Sequence, residues 1–106
     1  MSPPLAEMNE RVEEVSRLLA EMANPRRLLV LCSLVEAERS AGELAALVGL
    51  SPGALSQHLQ RLRALELVAT RRDGQTIHYR LASGKVREIL ATLHRLYCAP
   101  QAMAAE

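Results

Sequence analysis

The stretch that most constrains this chain is Ser51 to Leu65, SPGALSQHLQRLRAL, together with the residues just ahead of it. Ser51 is a good helix N-cap. Pro52 suits the first helical position, where its missing N–H would have no partner anyway. Leu55, Leu59 and Leu62 recur at i, i+4 and i+7 and form an inward face, which leaves Gly53, Ser56, Gln57, Gln60, Arg61 and Arg63 on or near the outer one. Upstream, Ser40 with Glu43 three residues on is a capping box, opening a short helix through Leu44, Leu47 and Val48 that stops at Gly49. Helix, three-residue turn beginning with glycine, helix: this is the spacing of a helix-turn-helix, whose second helix is placed for a major groove. The outer face is a row of donors and acceptors of the kind that reads base edges. A plain solvated helix face has the same polarity, so the flanking segments decide between the two.

Past Leu65 the period changes from about 3.6 to alternation. Leu67 to Arg72 and Gln75 to Leu81 read as two strands joined at Asp73-Gly74, a hairpin-turn dipeptide. Ile77, Tyr79 and Leu81 are expected to face the core, with Thr76, His78 and Arg80 outward. A hairpin directly after a helix-turn-helix is a wing, and its tip presents Arg71, Arg72 and Gln75. Arginine there suits phosphates or a narrow minor groove.

The remaining segments are helical. Residues 1–7 read as a loose start, and Met8 to Met22 as an amphipathic helix with Met8, Val12, Val15, Leu18, Leu19 and Met22 on one side. Asn24-Pro25 starts a second helix to about Glu36, whose run Leu28 to Cys32 is apolar all round and is expected to be buried. Ser83 caps a last helix to about Cys98, with Val86, Ile89, Leu90, Leu93, Leu96 and Tyr97 on a broad stripe, followed by a loose tail over 99–106. The expected architecture is a single domain spanning 1–106. It is mainly α with a β-hairpin wing, in the order α-α-α-α-β-β-α. The first and last helices carry more apolar surface than so small a domain covers by itself, which implies a homodimer built on those two helices.

Composition agrees. Two Tyr with no Phe or Trp leave leucine to fill the core, which favours packed helices. The net charge of +1 divides unevenly: residues 1–50 hold five Arg against eight Glu, whereas residues 51–80 hold five Arg against Glu66 and Asp73. The positive excess thus falls on the helix and hairpin already marked, as expected of a chain with one face for an anionic polymer. No run approaches the roughly 20 apolar residues of a membrane span, and the glutamates of the first helix leave no room for a signal peptide; no membrane association and a cytoplasmic location are expected. Two cysteines in such a chain read as thiols rather than a standing disulfide. No nucleophile, paired-carboxylate or glycine-rich phosphate-loop set survives the helix phases, so an enzyme is not expected. A protein-interaction module is the other class open to a winged helix; salt-dependent duplex binding separates the two.

The segment ALSQHLQRLRALELVATRRDGQTIHYRL, preceded by MANPRRLLVLCSL and followed by a last helix ending in Tyr97-Cys98, resembles the ArsR family of winged-helix repressors, and within it the sulfur-responsive branch. The resemblance runs from about Val12 to Cys98. It implies a homodimeric transcriptional repressor on double-stranded, inverted-repeat operator DNA. Ser51, Gly53, Ser56, Gln57, His58, Gln60 and Arg61 would serve on the helix, and Arg71, Arg72 and Gln75 on the wing. The chain departs from the pattern at Pro52-Gly53, where side chains able to reach DNA are usual, and at His78, where an aromatic is usual.

Sensing chemistry falls to Cys32, Cys98 and the histidines. Metal-sensing relatives use a Cys-x-Cys pair or carboxylate and histidine sets on the final helix, and neither is present here; no metal or other cofactor is expected. His94 and Cys98 stand at i and i+4, so a Cys32, His94, Cys98 metal site remains open, as does a pair of inert packing thiols. The resemblance implies a third reading, in which Cys32 and Cys98 are the sensing thiols and reactive sulfur species the inducer.

Overall fold

The computed structural model describes residues 3–98. Its elements are α1 (Pro3–Met22), α2 (Pro25–Ser33), β1 (Arg39–Ser40), α3 (Ala41–Val48), α4 (Pro52–Ala64), β2 (Val68–Asp73), β3 (Thr76–Leu81) and α5 (Gly84–Tyr97). The mainly helical winged fold expected from the sequence is the fold found.

Each helix starts where its capping chemistry dictates. The Asn24 side chain accepts from the N–H groups of Arg26 and Arg27, Ser51 from Ala54, and Ser83 from Val86. At α3 the capping box closes both ways: Ser40 Oγ accepts from Glu43 N at 3.2 Å, and the Glu43 carboxylate from Ser40 N at 2.8 Å. Gly49 ends α3 with φ of 68°, a left-handed conformation that suits glycine. The end of α4 takes the same turn without one. Glu66 has φ of 61° while its N–H reaches Arg63 O and that of Leu67 reaches Leu62 O, the Schellman pattern with glutamate in the glycine place.

The core is a single cluster in which Leu31, Leu44, Leu55, Leu62, Val86 and Leu90 are all but fully enclosed. It is aliphatic throughout and joins the inner faces of α2, α3, α4 and α5 to Val68 and Leu81 at the base of the hairpin. Burying each such side chain is worth about 1.5–3 kcal/mol.

Several boundaries differ from expectation. The first helix begins at Pro3 instead of Met8, so residues 3–7 are helical; the tail expected over 99–106 lies outside the described residues. Helix α2 ends at Ser33, three residues before Glu36, because Leu34 and Val35 turn back onto the Leu31 and Cys32 carbonyls and Arg39 Nε takes the Ser33 carbonyl at 2.8 Å. Its apolar run is only partly enclosed: Val30 and Leu31 are buried, Leu28 and Cys32 half-buried, and Leu29 exposed. A run that is apolar on all sides of a helix lying on one edge of the core must leave one side out.

The hairpin carries a third strand that its sequence does not announce. β1 pairs with β3, giving the antiparallel order β1-β3-β2. Asp73 pairs with Thr76, so the turn residues are Gly74 and Gln75, one later than expected, and Gly74 supplies the positive φ of 64° that primed two-residue turns require. Along β3 the burial fades outward: Leu81 is buried, Tyr79 half-buried and Ile77 exposed, since the wing tip projects past the body of the domain.

Candidate nucleic-acid interface and thiol pair

Helix α4 is held by one face and offers the other. Leu55, Leu59 and Leu62 are buried, and at 100° per residue Gly53, Gln57 and Gln60 lie opposite them; all three are exposed. Ser56 and Arg63 stand exposed along one flank and Arg61 along the other, while His58 is half-buried at the edge of the packed face. Nothing lies within 4 Å of the point a Cβ would take at Gly53. The first turn is therefore open, and there the outer face presents backbone. Ser51 is exposed, but its hydroxyl already accepts from Ala54 N at 3.2 Å as the helix cap.

On the wing, Arg71 stands opposite His78 and Arg72 opposite Ile77, with Gln75 in the turn. All three of Arg71, Arg72 and Gln75 are exposed. Arg71 is not idle: Nε donates to Glu38 Oε1 at 2.9 Å, and Nη2 lies 2.8 Å from the same oxygen. The Arg71 guanidinium in turn holds the Glu38 carboxyl below its ordinary range. Arg61 is likewise engaged, by the Glu21 carboxylate of α1. Among the described residues Arg63, Arg72 and Arg80 carry no ion pair. Arg61 and Arg71, both expected at the DNA, thus have carboxylate partners that the sequence does not announce. Glu21 is one of five glutamates in α1 and nothing in the pattern singles it out; Glu38 precedes a strand of two residues.

Cys32 sits in the last turn of α2, half-buried, and Cys98 follows α5, exposed, with its N–H donating to His94 O at 2.8 Å. Both are free. Burial pushes the Cys32 thiol up, and the charge of a Cys98 thiolate would raise it further. Among the described residues no three of His, Cys, Asp or Glu converge on a metal-sized site. The terminal helices leave apolar side chains in the open: Met8, Val12 and Leu19 on α1, Leu96 and Tyr97 on α5. No helix among the described residues is long and apolar enough to cross a membrane.

A helix-turn-helix with its second helix exposed along a polar row, followed by a basic β-hairpin, defines a winged helix-turn-helix protein. Residues 24–70, from the cap of α2 into β2, match the model for "Bacterial regulatory protein, arsR family". The chain is 52% identical to the nodulation protein NolR of Rhizobium meliloti over 92% of its own length and 80% of that protein. It is 48% identical to the transcriptional activator HlyU of Vibrio cholerae, over 89% of this chain and 87% of that protein. The reduced HlyU structure superposes with a TM-score of 0.82 over 87% of this chain and 97% of that one. The transcriptional repressor BigR from Xylella fastidiosa superposes at 0.84 with 38% identity, over 94% of this chain and all of that one. The chain thus belongs to the arsR family, and it is a transcriptional regulator, not an enzyme.

Proposed function

We propose that this protein is a homodimeric repressor that binds an inverted-repeat operator and lets go when Cys32 and Cys98 are bridged by sulfur. The outward row of Gly53, Gln57 and Gln60, opposite the buried leucines of α4, with Ser56 exposed on its flank, carries the DNA reading. Gln57 and Gln60 supply paired donors and acceptors for base edges, Ser56 and the open backbone at Gly53 serve close approach, and Ser51 and His58 border the contact. Arg72, Arg71 and Gln75 of the wing take phosphates or the adjacent minor groove. The open apolar side chains of α1 and α5 pair across a two-fold axis, which sets two α4 helices at two half-sites. The location is cytoplasmic, and neither a metal nor a cofactor is required for DNA binding.

The switch follows from exposure and reach. Cys98, the exposed thiol, attacks a sulfane sulfur of a polysulfide; a persulfide forms and the polysulfide leaves one sulfur shorter. Cys32 is converted in the same way. The Cys98 persulfide then attacks the Cys32 sulfur and expels hydrosulfide, leaving a trisulfide. Overall the two thiols lose two electrons to one sulfane sulfur, which leaves as hydrosulfide, while a second sulfane sulfur stays in the bridge and the donor polysulfides are each one sulfur shorter. A direct disulfide needs Cα atoms within about 7 Å, whereas an inserted sulfur spans more; thiols held slightly too far apart for a disulfide would resist peroxide yet still be bridged by a sulfur donor, and selectivity would then be geometric. The bridge ties the end of α2 to the end of α5 and so biases the relative placement of the two reading helices. The similarity to HlyU, whose structure was solved as the reduced protein, supports a redox-responsive reading.

A gel-shift titration against the DNA upstream of the protein's own gene, with and without polysulfide, tests this. Retardation by a dimer that polysulfide abolishes is expected. A monomer at micromolar concentration that ignores that DNA at low salt overturns it.

A further inference from the structure

Glu21, in the last turn of α1, is the carboxylate on which three helices meet. Only 12% of its side chain is exposed. From α4, Arg61 Nε lies 2.7 Å from one oxygen and 2.6 Å from the other, and Nη2 closes the fork. From α2, Arg27 Nη2 approaches to 3.8 Å while its Nε donates to the Glu21 backbone carbonyl at 2.8 Å. The Arg61 bond draws the Glu21 carboxyl below its ordinary range against the opposing effect of burial.

The placement matters more than the charge. Arg61 leaves α4 on the flank away from Ser56 and Arg63 and turns to α1, 40 residues back in the chain. Helix α1 is also the element whose opposite side carries open Met8 and Val12. Glu21 is therefore the point at which a helix of the dimer interface is fastened to the DNA-reading helix.

We infer that Arg61 is a positioning residue rather than a DNA contact, and that the Glu21–Arg61 fork sets the angle of α4 on α1 and hence the spacing of the two reading helices in the dimer. This rests on the operator-binding reading above. It also replaces the expectation that Arg61 itself touches DNA. A competing role, in which Glu21 merely withholds Arg61 from phosphate, predicts effects of opposite sign.

The test uses the full chain and the tightest duplex it recovers from a random-sequence pool. Glu21→Gln removes a negative charge, so electrostatics alone would tighten binding; the fork predicts about a tenfold loss, within the usual range of site-to-site coupling. Arg61→Gln should lose the same factor with the salt slope unchanged, whereas loss of a phosphate contact would lower the slope by about 0.9. Arg61→Lys keeps the charge but not the planar fork and should recover less than half of the loss on a logarithmic scale. The double variant should bind no worse than either single one. In the free protein, backbone amides of α4 should exchange faster in Glu21→Gln than in the wild type. If the wild type recovers no duplex, the operator reading falls and this inference with it. If the wild type binds but Glu21→Gln binds as tightly or tighter, or Arg61→Gln lowers the salt slope, the fork has no positioning role and only this inference falls.

Discussion

Arg26, in the first turn of α2, donates through Nη1 to the carbonyl oxygen of Val48 at 3.0 Å, and so satisfies the last turn of α3 from a neighbouring helix. A helix end leaves several carbonyls without intrahelical partners, and a cation there also opposes the negative end of the dipole. The bond ties the end of α3, which Gly49 closes, to α2, and α3 in turn packs against α4. Arg26→Met should cost about 1 kcal/mol, the usual net worth of such a bond. Calorimetry should find the melting temperature lower by about 4–8 °C. An unchanged melting point would remove Arg26 from the account of how the helix-turn-helix is held.

Glu66 occupies the left-handed position that closes α4, with φ of 61°. A side chain there costs free energy that glycine avoids, while glycine loses more entropy on folding. The strain outweighs the entropy difference, so Glu66→Gly should raise stability by about 0.5–1 kcal/mol and leave duplex binding intact. Urea unfolding measures this directly; a loss of stability would show that the Glu66 side chain holds something the backbone argument omits.

Glu21 titrates below its ordinary range in the folded protein because Arg61 bonds its ionised form. Its contribution to stability is thus fully present above the unfolded-state value of about 4.3 and is lost as pH falls below that. The stability gap between the wild type and Glu21→Gln should be widest near neutrality and close in acid. Urea melts at neutral pH and well below pH 4 decide it, and a gap independent of pH would mean the carboxylate charge is not what the site uses.

Gln57 and Arg72 should fail differently. Gln57→Ala should narrow the difference between operator and random duplex, since a good base-edge contact is worth about 1–3 kcal/mol of discrimination. Arg72→Ala should weaken both alike and lower the salt slope by about 0.9. Titrations at several salt concentrations on both duplexes separate the two, and the reverse pattern would exchange the roles of helix and wing.

What the sequence made legible was whatever depends on neighbours along the chain. The caps at Asn24, Ser40, Ser51 and Ser83 fall where local chemistry puts them, and the leucine phase of α4 sets its two faces. What it concealed depends on distant partners. β1 is two residues long and exists because Tyr79 and His78 stand opposite it. The engagement of Arg61 and Arg71 requires Glu21 and Glu38, which are 40 and 33 residues away and indistinguishable in sequence from solvated glutamates. Ile77 shows the limit of alternation, which gives the face but not how far along the strand the body of the protein extends to cover it.

One sample measured two ways decides whether a sulfur bridge between Cys32 and Cys98 releases DNA. The dimer bound to its duplex is treated with polysulfide, then divided between a binding assay and intact-peptide mass spectrometry. The account predicts a 32-to-98 cross-link one sulfur, about 32 Da, heavier than a disulfide, formed within one protomer in proportion to the DNA released. Cys32→Ser and Cys98→Ser proteins should stay on the duplex. Release of DNA from either of those variants by the same polysulfide would contradict it.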